Sequence, residues 1–297
     1  MEFKNIELED REIFDKYFSM KKYMGSECTF TNLFVWQKCY DIRWAEANGV
    51  LFIKVRRKEF TFVLPPFVSK EGDLSEALAS LSSYFAGQPF EIRGIYEDML
   101  PLLQERLPSS TEFVEDRDNW DYIYLRENLA SLSGRKYHAK KNHANAFRKE
   151  HRDYEFSLLT KDDVEECIEF ADAWCEKKDQ EAMELRCEFC ALEKALSNLE
   201  NLSIKGAVIR IDGKIQAFAV GEKLNPETAV IHFEKANPEI RGLYAVINQD
   251  FCAGVWTDVT YINREEDMGI EGLRKAKESY RPEFMVKKYS ALISAKR

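Results

Sequence analysis

What most constrains the fold of this chain is one order of elements that occurs twice. In the C-terminal half, residues 154–159 alternate apolar and polar side chains, as a half-buried strand does. Thr160 or Asp162 can cap the next element, in which Val164, Cys167, Ile168, Ala171 and Trp174 recur at helical spacing. A second helix runs through Leu185, Phe189, Leu192, Leu196 and Leu199. Residues 206–211 and 215–220 are apolar runs on either side of Asp212-Gly213-Lys214, and Asp-Gly is the strongest short hairpin signal. A third strand spans 229–235, and a Pro- and Gly-bearing loop leads into a helix over 243–251. A strand surrounds 261–264, a helix over 271–280 stops before Pro282, and a last strand covers 284–289. The order is β-α-α-β-β-β-α-β-α-β. The N-terminal half repeats it more loosely. It has a strand at 3–6, helices from residue 10 and around 28–39, and strands near 43–47, 50–55 and 60–64. A helix at 74–85, a strand at 90–94, a helix at 97–107 and a strand at 122–125 follow. The repetition predicts a tandem α/β protein with domains 1–127 and 128–297, each a mixed central sheet flanked by helices.

A length of 297 residues and a 45% hydrophobic share supply enough apolar surface for two cores. The net charge of −9 argues against a dedicated duplex-DNA binder, which needs broad positive charge. The charge is unevenly spread. Residues 128–152 hold seven Lys/Arg and one acid, Glu150, together with three of the four histidines. A basic island in an acidic chain points to an anionic partner, a tRNA or a phosphate-bearing small molecule. His138, Lys141, Asn145, Arg148 and Arg152 fall on one helical face, with Arg135, Lys136, Lys140 and His143 beside them. The plain alternative is a solvated face of an interdomain helix. Tyr137, Ala144 and Phe147 fall on another face and can pack on a domain.

The start of the sequence is acidic and has no apolar leader-like stretch, and no run reaches the ~18 apolar residues of a spanning helix. The seven cysteines are odd in number, scattered, and set in apolar helical patterns, as reduced buried thiols are. Cys187 and Cys190 have no second pair to complete a zinc site, and no metal is expected. These features predict a cytoplasmic protein.

The element order is that of GNAT-type acyltransferases. Two copies joined by a basic mid-chain helix resemble the Fem family of aminoacyl-tRNA-dependent peptidyltransferases. A closer resemblance is to the catalytic C-terminal region of phosphatidylglycerol lysyltransferases, carried by residues 134–143, 232–237, 240–244 and 262–277. The resemblance implies two tandem GNAT-like acyltransferase domains. It also implies transfer of an acyl or aminoacyl group to an amine or hydroxyl, with an aminoacyl-tRNA as donor. The generic fold suggests an acyl-coenzyme A donor instead. A third reading is a non-catalytic binder of an anionic ligand. No further cofactor is required.

Within that frame, Arg241 and Gly242 echo the loop that wraps a pyrophosphate at a helix N-terminus, though Leu243 and Tyr244 stand where small residues would allow close approach. His232 and Glu234 share one strand face, and Glu234 can take a proton from an attacking ammonium. The run Arg264-Glu265-Glu266-Asp267 sets three like charges together, a cost that a cation relieves. Glu265 and Asp267 are the expected holders of a cationic amine. Asn263, Arg264, Glu266 and His232 are expected as further substrate contacts. No Ser/His/Asp or Cys/His arrangement argues for a covalent intermediate.

Overall fold

The computed structural model describes residues 1–57, 60–68, 73–176 and 183–293. Helices α1 (Arg11–Phe18) and α2 (Phe30–Tyr40) come first, and the Thr29 hydroxyl caps α2 by accepting from the Asn32 amide at 3.1 Å. Strands β1 (Arg43–Ala47) and β2 (Val50–Arg57) form a hairpin turned at Asn48 and Gly49, both at positive φ. Next come β3 (Phe60–Val63), β4 (Phe67–Val68), α3 (Asp73–Tyr84), β5 (Phe90–Tyr96), α4 (Leu100–Arg106) and β6 (Phe113–Glu115). The expected strand at 3–6 is only a single bridge between Lys4 and Trp44.

The chain continues through β7 (Asp121–Leu125), α5 (Arg126–Ser131), α6 (His138–Glu150) and β8 (Glu155–Leu158). Helices α7 (Val164–Glu176) and α8 (Met183–Ser197) precede β9 (Lys205–Ile211), β10 (Lys214–Asn225) and β11 (Thr228–Ala236). Then come α9 (Leu243–Gly254), β12 (Tyr261–Asn263), α10 (Glu271–Glu278), β13 (Phe284–Val286) and β14 (Lys288–Ile293). The Asp212-Gly213 turn between β9 and β10 is present, with both residues at positive φ.

Among the described residues there are two seven-stranded sheets. The first has the order β1-β2-β3-β5-β14-β6, with β4 on β2, and the second β13-β7-β12-β11-β10-β9-β8. Each is antiparallel except for one parallel pair, β3 with β5 and β11 with β12. The sheets exchange strands. β7, from the N-terminal half, pairs with β12 and β13, while β14 pairs with β5 and β6 of the first sheet. The single strand expected over 284–289 is therefore two. Phe284–Val286 lies against β7, and after Lys287 the chain crosses to the other sheet. A boundary at 127/128 leaves one strand of each sheet on the wrong side of the cut.

An apolar core joins the halves. Phe14, Leu33, Trp44 and Ile53 belong to the same buried cluster as Leu192, Val208, Phe218 and Phe233, and Trp36 stacks on Phe233 at 6.3 Å. Two local features shape what lies beside it. β11 and β12 are paired only from Thr228–Tyr261 to Val230–Asn263, and beyond that β11 runs on paired with β10 and no longer with β12. β11 also bulges, because Val220 faces Phe233 and Gly221 faces Ile231, leaving His232 as the extra residue. A Cβ on Gly221 would stand 2.2 Å from the Val230 carbonyl oxygen, so the close approach there needs glycine.

Candidate active site

The residues leaving β12 organise the place where its pairing with β11 ends. Asn263 is fully buried; its amide donates to Asp121 (2.9 Å) and to the Met24 carbonyl (2.8 Å), and its oxygen accepts from the Glu265 backbone (2.6 Å). Glu265 is thereby held at φ 57, a left-handed conformation costing a side-chain-bearing residue about 1 kcal/mol or more. The turn sends three consecutive carboxylates to three different environments.

Glu265 Oε1 accepts from His232 Nδ1 (2.9 Å) and from Asn32 Nδ2 of α2 (3.3 Å). His232 Nε2 lies 3.0 Å from Glu222 Oε1, and Glu222 Oε2 accepts from Thr31 Oγ1 at 3.0 Å. Both ring nitrogens thus face carboxylates, which suits an imidazolium. Burial works against that charge, but the hydrogen bonds and charges of Glu222 and Glu265 prevail, and His232 is pushed up to about 10. The chain Thr31–Glu222–His232–Glu265–Asn32 begins and ends on α2, so it ties the two halves together. His232, expected among the substrate contacts, is occupied by protein carboxylates.

Glu234 accepts from Arg264 Nη2 (2.9 Å) and from Asn248 Nδ2 (2.9 Å). The Arg264 guanidinium lies 4.8 Å from the centre of the Tyr280 ring. The pairs His232–Glu265 and Glu234–Arg264 therefore bridge the opening between β11 and the chain leaving β12. This corrects the expectation for Glu234: both its oxygens are engaged, and it acts as an ion-pair partner. Asp267 is corrected for the same reason, more strongly. It is fully buried and accepts from Tyr122 OH (2.6 Å), Arg117 (3.1 Å), Arg274 (2.7 and 2.9 Å) and the Gly269 amide (2.9 Å). Burial alone would raise its pKa, but Arg274, Tyr122 and Gly269 hold the carboxyl well below the usual range. No lone pair remains for a substrate amine.

Glu266 is different. It is half-buried, and no side chain among the described residues donates to its carboxylate. Burial pushes it up to about 7; Lys288 pulls the other way, and Glu265 and Asp121 add repulsion. Glu265 Oε2 is likewise free of donors among the described residues. From α10, the Lys277 ammonium caps the carbonyls of Arg264 and Glu265.

The sequence reading missed a second buried set. Asp121 accepts from the Ser26 amide (2.6 Å) and from Lys288 Nζ (2.8 Å), which also donates to Glu27 (2.7 Å). The available signal was one acid at the head of an otherwise apolar strand, Asp121-Tyr122-Ile123-Tyr124-Leu125, and Glu222 in β10 is a similar case.

The basic helix is only partly free. Arg148 donates to Asp250 (2.5 Å), Gln249 (2.9 Å) and Tyr154 (3.2 Å), so it anchors α6 on α9 and is no anion contact. Lys140 turns inward, its ammonium 4.2 Å from the Tyr280 ring centre, and burial together with Arg264 lowers its pKa. Arg135, Lys136, His138, Lys141 and His143 are exposed. Gly242 caps α9 at φ 87, and a Cβ there would stand 2.3 Å from the His143 carbonyl oxygen. Helix α6 thus covers the N-terminus of α9 and presents a carbonyl, whose partial charge has the wrong sign for an anion. The expectation of a pyrophosphate loop at Arg241 and Gly242 is corrected accordingly: the glycine serves helix packing, and Arg241 is exposed.

The family described as phosphatidylglycerol lysyltransferase, C-terminal, matches residues 19–292. The chain belongs to this family. A conserved protein of unknown function from Bacteroides thetaiotaomicron is 38% identical with a TM-score of 0.89, the match covering 98% of this chain and 99% of that one. L-PGS from Bacillus licheniformis is 16% identical with a TM-score of 0.67, over 97% and 93% of the two chains. FemX is 10% identical with a TM-score of 0.59, over 98% and 97%. At those identities the last two likenesses speak for the fold, which is tandem GNAT-like. An uncharacterised protein of Mycoplasmoides gallisepticum is 26% identical over 205 residues, 67% of this chain and 65% of that protein's length. The match thus spans about two thirds of that relative. No helix among the described residues is long and apolar enough to cross a membrane.

Proposed function

We propose that the chain transfers an aminoacyl group from an aminoacyl-tRNA to an amine or hydroxyl acceptor at the turn formed by residues 263–267. The observation that carries this reading is Glu266. Both oxygens of its neighbour Glu234 are engaged and Asp267 is saturated, whereas no side chain among the described residues donates to Glu266, and burial pushes its pKa up to about 7. A carboxylate so placed can take the proton from the acceptor as its nitrogen or oxygen attacks the ester carbonyl. The ester bond then breaks, and the proton held by Glu266 passes to the ribose oxygen, which leaves as the terminal hydroxyl of the tRNA. Glu265 Oε2 can hold the ammonium of the aminoacyl group, fixed by the His232 bond to Oε1. The exposed basic residues Arg135, Lys136, His138, Lys141 and His143 supply phosphate contacts. Family membership supports the donor class, and a tRNA donor places the reaction in the cytoplasm. The acyl-coenzyme A reading has the generic fold in its favour, but α6 covers the loop it requires.

Titration calorimetry against deacylated tRNA, coenzyme A and acetyl-coenzyme A, followed by turnover with charged tRNA and a simple amine, tests the proposal. We expect tRNA binding that weakens as salt rises, no heat with either coenzyme, and amine-dependent loss of the aminoacyl ester. Saturable coenzyme A binding with tRNA inert would favour the acyl-coenzyme A reading instead.

A further inference from the structure

We propose that a narrow pocket in the N-terminal half, lined by none of the residues of the acidic turn, binds a primary alkylammonium group. Its rings come from Tyr23, Phe67 and Tyr96. The Tyr23 and Phe67 ring centres are 5.5 Å apart, edge to face, and those of Tyr23 and Tyr96 are 6.2 Å apart. Glu27 is the acid among them. Its Oε2 takes the Lys288 ammonium at 2.7 Å, while Oε1 receives no donor among the described residues. Gly94 leaves that oxygen uncovered; a Cβ there would stand 3.2 Å from Oε1, and the residue sits at φ +74.

The charges point the same way. Lys288 pairs with both Glu27 and the fully buried Asp121 and also acts on Glu266, while Lys277 acts on Asp121, so Glu27 has only a shared cation among the described residues. A carboxylate oxygen in a pocket lined by three aromatic rings suits a cation that also carries N–H donors. An anion is repelled there, and a neutral guest leaves Glu27 with its shared cation alone. The pocket's narrowness favours –NH3+ over a quaternary head. Pro65, Pro66 and Met99 offer an apolar wall for the alkyl stem. Tyr23 is steadied from the other half, since Asn225 donates to its carbonyl at 2.8 Å. Glu27, Lys288, Asp121 and Asn263 form an unbroken hydrogen-bonded path to the Glu265 amide. The pocket does not depend on the transfer reading, because its binding test needs neither tRNA nor turnover.

The test is calorimetry on the whole protein with n-butylammonium, 1-butanol and tetramethylammonium as probes. Saturable binding of n-butylammonium alone is expected. E27Q, which removes the charge, and Y23L, which removes a ring but keeps the Glu27–Lys288 pair, should each weaken it about tenfold or more. Circular dichroism confirms that the variants are folded, and Y23L guards against loss of structure in E27Q. Two further probes identify the source: tighter binding of N-acetyl-lysine amide marks a peptidyl lysine, and tighter binding of putrescine marks a free polyamine. The proposal is overturned if butanol binds as well as butylammonium, if both variants keep wild-type affinity, or if the wild type shows no saturable binding of butylammonium.

Discussion

Glu265, Glu266 and Asp267 carry the same charge, and their surroundings give them different work. Asp267 is a structural anion, so Asp267→Asn should cost about 3 kcal/mol in denaturant unfolding by leaving Arg117 and Arg274 without their shared partner. Glu266→Gln should do the opposite. A carboxyl raised to about 7 in the folded chain contributes stability at low pH that is lost as pH rises from its ordinary 4.5 through 7. At pH 8 the glutamine variant should therefore be equal to wild type or more stable, by about 1 kcal/mol, while transfer falls by about a hundredfold. Equal turnover in the two proteins would remove Glu266 from the mechanism. His232 carries the reverse sign. Its folded pKa of about 10 lies above the ordinary 6.5, so its contribution is complete below 6.5 and disappears as pH rises through 10. Wild-type stability should fall over that window, and His232→Gln should flatten the slope; two parallel curves would show that the imidazolium does not tie the halves. At this scale the sequence revealed the crowding of like charges but not their partners. Asn32, Arg117 and Tyr122 lie far off along the chain, and nothing local marks them as neighbours of the turn.

Among the elements, periodicity was a good guide wherever one face met a core. The helices and the Asp212-Gly213 hairpin were legible because burial on one side leaves a pattern in the residues. The basic face of α6 illustrates the limit of that guide. Arg148 lies on the charged stripe with His138 and Lys141, yet Asp250 on α9 claims it. Arg148→Ala should thus lower the melting temperature by leaving Asp250 uncompensated. Changing Lys136 and Lys141 to Glu should leave melting unchanged and weaken tRNA binding, with a shallower salt dependence. Gly242→Ala separates the two accounts of its loop. The structure requires a loss of about 2 kcal/mol or more, since a Cβ at positive φ would meet the His143 carbonyl at 2.3 Å. A variant with wild-type stability would mean that α6 does not press on the glycine and that the loop is open to a ligand.

For the whole molecule, repetition of one element order announced the tandem architecture, but it could not announce the exchange of β7 and β14. Residues 284–289 read as one extended run, and only the pairing shows that Lys287 passes the chain from one sheet to the other. Pairing across well over a hundred residues leaves no local mark. The exchange predicts that fragments 1–127 and 128–297, made separately, will lack native cooperativity. Each lacks a strand that the other carries, and the two should recover a native-like spectrum when produced together. Independent folding of either fragment, seen as a sharp unfolding transition, would contradict it.

The same exchange bears on how the chain is made. β14 lies between β5 and β6, inside the first sheet, yet it is synthesised after every strand of the second. A ribosome that has finished the N-terminal half therefore holds a sheet with a gap in it, and that sheet cannot close until β14 has emerged. Domains usually fold in the order in which they are translated. Here the earlier-made half must wait for the later one, so a nascent chain stalled shortly before residue 288 leaves its first sheet open to proteases and chaperones.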